Sequence, residues 1–110
     1  ISTDGNDGVF NDCNDGVVVT PTAPQPTRPV KRFLVGPVGA EICGPMLSPD
    51  ERAFLCAVQH PGEGDTQGRS FSMTRWGGAQ PPSNFPDGPG TWPRSAVVVV
   101  TKDDGGIVGT

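Results

Sequence analysis

The sequence predicts an all-β fold, and three observations carry that reading. No helical period runs longer than two turns. Short β-branched or apolar runs recur along the chain, each bounded by Gly, Pro, Asp or Asn turn signals. Two pairs of these runs are joined by tight turns and read as antiparallel hairpins.

Taken in order, Ile1-Ser2-Thr3 reads as the tail of a strand. Residues 17–20 form a Val-Val-Val-Thr run after an Asp-Gly turn signal. Pro21 to Pro29 is a Pro-rich connector that favours extended backbone. Residues 30–35 form the next strand, which ends at Gly36-Pro37. Residues 41–47 form a weaker strand, interrupted by Gly44-Pro45. Ser48-Pro49-Asp50-Glu51 also fits a helix start, with Ser48 as cap and Glu51 at the third position. Ser-Pro-Asp is equally a type I turn, and the apolar run 53–58 behind it has strand length, so a hairpin is expected. Residues 59–95 are a long irregular stretch rich in Gly and Pro, of the kind that is functional or disordered. Residues 96–101 hold four consecutive valines, the pattern of a strand buried on both faces. Lys102-Asp103-Asp104-Gly105-Gly106 is a turn, and a last strand is expected from Ile107.

This order groups residues 36–110 into four antiparallel strands, the unit of a β-propeller blade. Residues 1–35 then supply the last strands of a preceding blade. The expectation is nearly two four-stranded blades of an incomplete propeller, since closure needs about four to eight blades. A small sandwich or a disordered secreted fragment is the competing reading.

Composition agrees with an incomplete unit. The chain has 110 residues, of which 34% are hydrophobic, 16 are Gly and 13 are Pro, so its core is lean. It opens without Met or a basic n-region, so a start further upstream is expected and no signal peptide is read. The net charge of −4 and the scattered basic residues, with only Lys31-Arg32 adjacent, exclude nucleic acid as the main partner. No apolar run approaches the roughly 18 residues that span a bilayer.

Few residues suggest chemistry. Asp4-Gly5-Asn6-Asp7-Gly8 and Asp12-Cys13-Asn14-Asp15-Gly16 offer alternating oxygens, but neither completes a calcium loop, and both suit ordinary turns. Gln59-His60-Pro61-Gly62-Glu63 contains the single histidine, three residues from a carboxylate. That pair could share a metal or a proton, or simply bond backbone at the loop mouth. Glu41 opens a strand, and on the blade assignment it points at the central channel. Cys13, Cys43 and Cys56 show no C-x-x-C or zinc spacing and read as buried or half-buried thiols, with a Cys43–Cys56 disulfide as an alternative. Trp76 and Trp92 read as buried loop anchors. No nucleophile elbow, phosphate loop or H-E-x-x-H is present.

Several of these strings coincide in one family. Gly36-Pro37-Val38-Gly39-Ala40-Glu41-Ile42-Cys43-Gly44-Pro45, Ser48-Pro49-Asp50 and Gln59-His60-Pro61-Gly62-Glu63 resemble the C-terminal region of the PhoX-type alkaline phosphatases. Trp92-Pro93-Arg94-Ser95, the valine run and Lys102-Asp103-Asp104-Gly105-Gly106 resemble it too, as does Ile1-Ser2-Thr3-Asp4-Gly5-Asn6. The resemblance implies a periplasmic or secreted bacterial phosphomonoesterase on a six-bladed propeller, with calcium and iron in its channel. There the metals would polarise phosphoryl oxygens of a small phosphomonoester. The family's main metal carboxylates, iron-binding Cys and substrate-binding Arg lie in motifs upstream of these strings, so no catalytic residue is carried over. The three cysteines here are not read as that iron ligand. Glu41 is the expected channel-lining or metal-contacting residue, with His60, Glu63 and Arg94 as second choices or structural residues. Val38, Cys43 and Glu51 depart from the family pattern, which favours a basic residue, Thr and Gly at those places. The expected function is the C-terminal part of a metal-dependent phosphatase, inactive alone, binding no metal tightly, and partnered by upstream blades of its own chain. The alternative is a non-catalytic calcium-binding or structural propeller.

Overall fold

The computed structural model describes residues 1–3, 14–22, 24, 26–62 and 83–110. It contains five strands in two antiparallel sheets: β1 (Gly16–Val19), β2 (Lys31–Val35), β3 (Glu41–Leu47), β4 (Ala53–Gln59) and β5 (Ala96–Thr101). Among the described residues there is no helix, so none is long and apolar enough to cross a membrane.

The first sheet pairs β1 with β2, and the chain start joins its other edge. Val18 N–H donates to Ile1 O at 2.9 Å, and Thr3 N–H donates to Gly16 O at 3.0 Å. Thr3 Oγ1 also accepts the Gly16 N–H and lies 2.9 Å from Asp15 Oδ1. Asn14 Nδ2 donates to Gly36 O at 3.2 Å. Asn14 and Asp15 thus tie the entry of β1 to the chain start and to the end of β2. The rest of both Asp/Asn motifs, and Cys13, lie outside the described residues. Gly16 is required by close approach, since a Cβ there would collide with the Leu34 carbonyl oxygen of β2.

The second sheet runs β3-β4-β5 as a meander. Ser48 builds its first turn. Its N–H donates to Ala53 O at 2.8 Å, its Oγ accepts the Ala53 N–H at 2.9 Å, and its hydroxyl donates to Asp50 Oδ1 at 2.6 Å. The turn reading therefore holds over the helix start. Glu51 adopts φ 58°, a left-handed position where Gly is ordinarily preferred. Gly44-Pro45 marks a shift of register between Cys43 and Met46, a β-bulge at a Pro that cannot donate to the ladder.

The two sheets share one core. Val17 comes from β1, Ala40 and Ile42 from around the start of β3, and Phe54, Cys56 and Val58 from alternate positions of β4. Phe33 of β2 meets Phe54 edge to face, with centroids 5.2 Å apart at 77°. Phe85, Val98, Val100 and Val108 close the rim of this core. The sheet edges touch where Ile42 N–H donates to Thr3 O at 3.3 Å.

Three expectations are corrected. First, the second sheet has three strands among the described residues. Ile107 and Val108 enter a turn, where Val108 N–H caps Glu51 O at 2.9 Å and its side chain packs on the core. Second, β5 is buried on one face only. Val98 and Val100 pack inward, while Val97 and Val99 are 69% and 59% exposed. Third, Trp92 is 60% exposed rather than buried, Phe85 packs on the core from that segment, and Trp76 lies outside the described residues. Cys43 and Cys56 are free thiols, half-buried and buried as expected, and the alternative disulfide is absent. Cys43 pairs with Ala57, so it lies on the opposite sheet face from Cys56, and no disulfide can join them.

Candidate functional site

Glu41 and His60 meet at one end of the second sheet. Glu41 opens β3 opposite Gln59, the last residue of β4, and His60 is the next residue along. The buried Ala40 fixes the entry to β3, and its N–H closes a turn onto Pro37 O at 3.2 Å. His60 is held at φ 32°, in the left-handed region. Its backbone N–H donates to Ser95 Oγ at 3.1 Å, just before β5, and Gly62 N–H donates to Val38 O at 2.7 Å. These bonds gather the ends of all three strands and turn the imidazole back towards Glu41. His60 Nε2 lies 3.4 Å from Glu41 Oε2. Both side chains keep contact with solvent, at 43% and 27% exposure.

Period-two alternation sets the neighbours. Glu41 and Cys43 share a face of β3, and their partners Gln59 and Ala57 share it on β4. Gln59 Nε2 donates to Cys43 Sγ. Cys43, Gln59 and Ser95 are the surroundings that residue-by-residue reading missed. Period two along β3 and β4 was the available signal for the first two.

The other candidates lie elsewhere. Arg94 forks onto Asp87, with Nε to Oδ2 at 2.7 Å and Nη2 to Oδ1 at 2.9 Å. The guanidinium holds the Asp87 carboxyl below its ordinary range, and the carboxylate in turn raises Arg94. This fork, with the Asn84–Thr91 bonds, braces the loop leading into β5. Glu63 lies outside the described residues. An apolar groove of about 340 Å³ opens between the sheets, lined by residues such as Phe33, Met46, Phe54 and Val108; Glu41, His60 and Arg94 are not among its walls.

The family model described as Alkaline phosphatase PhoX matches residues 1–62. The chain belongs to the PhoX alkaline phosphatase family. Neither a curated protein nor a solved structure matches it. The PhoX match takes in the chain start, β1 to β4, Glu41 and His60, and stops before Glu63, Arg94 and β5.

Calcium asks for six to eight oxygen ligands, and iron sites take several His, Cys or carboxylate donors. Among the described residues no three His, Cys, Asp or Glu side chains converge. Glu41 and His60 alone do not make a calcium or iron site. What they can do is share a proton between carboxylate and imidazole and present that pair to solvent.

Proposed function

We propose that this chain is the C-terminal part of a secreted or periplasmic PhoX-type phosphomonoesterase, two neighbouring blades of its propeller, with Glu41 facing the channel. The observation that carries the reading is the family match, which runs through β1 to β4 and takes in Glu41 and His60. The architecture supports it further. The first sheet is a two-stranded antiparallel pair, the second a three-stranded meander, both feed one core, and neither closes on itself. Such units need further blades to complete a ring. His60 at positive φ supports a role for this end, because strained backbone gathers at functional positions.

On this reading the chain supplies scaffold and one wall of the channel. Calcium and iron belong to residues of the parent's other blades, and the small phosphomonoester binds there. Glu41 orients His60 and sets the charge of the wall. The isolated chain hydrolyses nothing and holds no metal tightly. The test is phosphomonoester hydrolysis by the full-length parent supplied with calcium and iron, repeated with Glu41→Ala. Loss of about 10- to 100-fold in kcat/KM is expected, the usual cost of removing a supporting group at such a site. A folded, metal-loaded parent without activity sinks the phosphatase reading, and an unchanged rate in the variant removes Glu41 from the channel.

The rival reading is a non-catalytic propeller that is structural or holds calcium. Calcium binding by the parent with no hydrolysis of any phosphomonoester is its distinguishing result.

A further inference from the structure

We propose that Ser95 is a positioning residue for the Glu41–His60 pair. Its hydroxyl oxygen holds the His60 backbone in the left-handed turn that lays the imidazole against the carboxylate. That the pair serves phosphomonoester hydrolysis rests on the function proposed above; how Ser95 holds it does not.

The strand register shows why the turn matters. Glu41 and Gln59 are paired, so their side chains leave the same face of the sheet. Gln59 is the last residue of β4. With extended backbone, His60 would continue the strand and point to the opposite face, away from Glu41. Pro61 follows, and a residue before proline is pushed out of the right-handed helical region towards that same extended backbone. His60 instead adopts φ 32°, where residues with a Cβ seldom rest. This turn brings Nε2 to 3.4 Å from Glu41 Oε2.

Ser95 supplies the bond made by His60's own backbone N–H. The β4–β5 ladder ends with Val58 opposite Ala96. Beyond it, the His60 N–H donates to a side chain, Ser95 Oγ, at 3.1 Å. Ser95 is itself fixed from both sides. Ala96 behind it opens β5. In front, Arg94 N–H donates to Phe85 O at 3.0 Å, and the Arg94 guanidinium grips Asp87 at 2.7 and 2.9 Å. Phe85 packs on the core and Pro93 is buried. The fork between Arg94 and Asp87 lies outside the pair, yet it anchors the residue that orients it.

The chain has a single histidine, so labelling histidine with carbon-13 gives one unambiguous set of ring signals. At one fixed pH, Glu41→Gln should move those signals in the wild-type chain. In Ser95→Ala the same change should move them at least about threefold less, the mark of two coupled sites. Ser95→Thr keeps the hydroxyl oxygen and should respond as wild type does. In the full-length parent, Ser95→Ala should lower kcat/KM by about three- to tenfold, and should cost nothing further once His60→Ala is present. Four results overturn the proposal: ring signals that ignore Glu41→Gln in the wild-type chain, an undiminished response in Ser95→Ala, a Thr variant that behaves like the Ala one, or losses from Ser95→Ala and His60→Ala that simply add. A metal-loaded parent without activity rejects the phosphatase reading alone, and the ring signals still decide whether Ser95 positions the pair.

Discussion

His60 Nε2 lies 3.4 Å from Glu41 Oε2 across the open end of the β3–β4 ladder, and both side chains reach solvent. A pair this loose and this hydrated contributes little to folding, within about 1 kcal/mol. Glu41→Ala and His60→Ala should therefore each leave the denaturation midpoint almost unchanged. A double-mutant cycle by urea unfolding checks this. The outcome also frees the activity test in the parent from a folding artefact. A fall in kcat/KM with intact stability would belong to the site alone.

The second prediction concerns Glu51. Its φ of 58° costs a residue with a Cβ roughly 1–2 kcal/mol. Glycine removes that cost but brings extra freedom to the unfolded chain, worth roughly 0.5–1 kcal/mol. Glu51→Gly should therefore stabilise by up to about 1 kcal/mol, while Glu51→Val should destabilise, since a β-branched residue is worse at positive φ. Denaturant midpoints for the three chains decide it. The backbone bond from Val108 to Glu51 O is retained in all of them.

That departure was visible in the sequence, because Glu51 stands where the Ser-Pro-Asp turn ordinarily ends in Gly. Much of the fold was visible in the same way. Gly and Pro punctuate the chain, so β3 and β5 begin and end where the pattern placed them. The faces of β5 were not legible. Four valines in a row erase the period-two signal, and the structure leaves Val97 and Val99 in solvent. Nor was the fate of Val108, which gives up strand pairing to bond the β3–β4 turn. At the site, the meeting of Glu41 and His60 follows from hairpin register, which pairs Glu41 with Gln59. Arg94 could not be placed, because its fork with Asp87 depends on a loop without periodicity.

The third prediction is a titration. Asp50 is held below its ordinary carboxyl range, first by the Ser48 hydroxyl and then by the Arg52 backbone N–H. Asp87 is lowered by Arg94. For a carboxyl lowered by folding, the stabilisation is complete above the unfolded value, about 3.9 for Asp. It disappears as pH falls through the lower folded value. Stability should thus decline below about pH 4. Ser48→Ala should raise the Asp50 midpoint and leave that of Asp87 unmoved. Side-chain carboxyl shifts followed by NMR across the acid range would show both. Equal movement of the two carboxyls would disprove the local cause.

The last prediction separates the two described thiols. Cys56 is 1% exposed inside the shared core, and burial raises its pKa, with the charge of Cys43 adding in the same direction. The thiolate is the reactive form, so both access and ionisation protect Cys56. Cys43 lies half-buried on the opposite face of the sheet beside Gln59. Iodoacetamide near pH 8 should alkylate Cys43 first, and Cys56 only at the rate at which the core opens. Mild oxidation should not join them, because their side chains project from opposite faces of β3 and β4. Replacing Cys56 by a larger side chain should overpack the core, at roughly 1–3 kcal/mol. Peptide mapping by mass spectrometry reads both the alkylation order and the cross-link. A Cys43–Cys56 disulfide formed without unfolding would overturn the β3–β4 register itself.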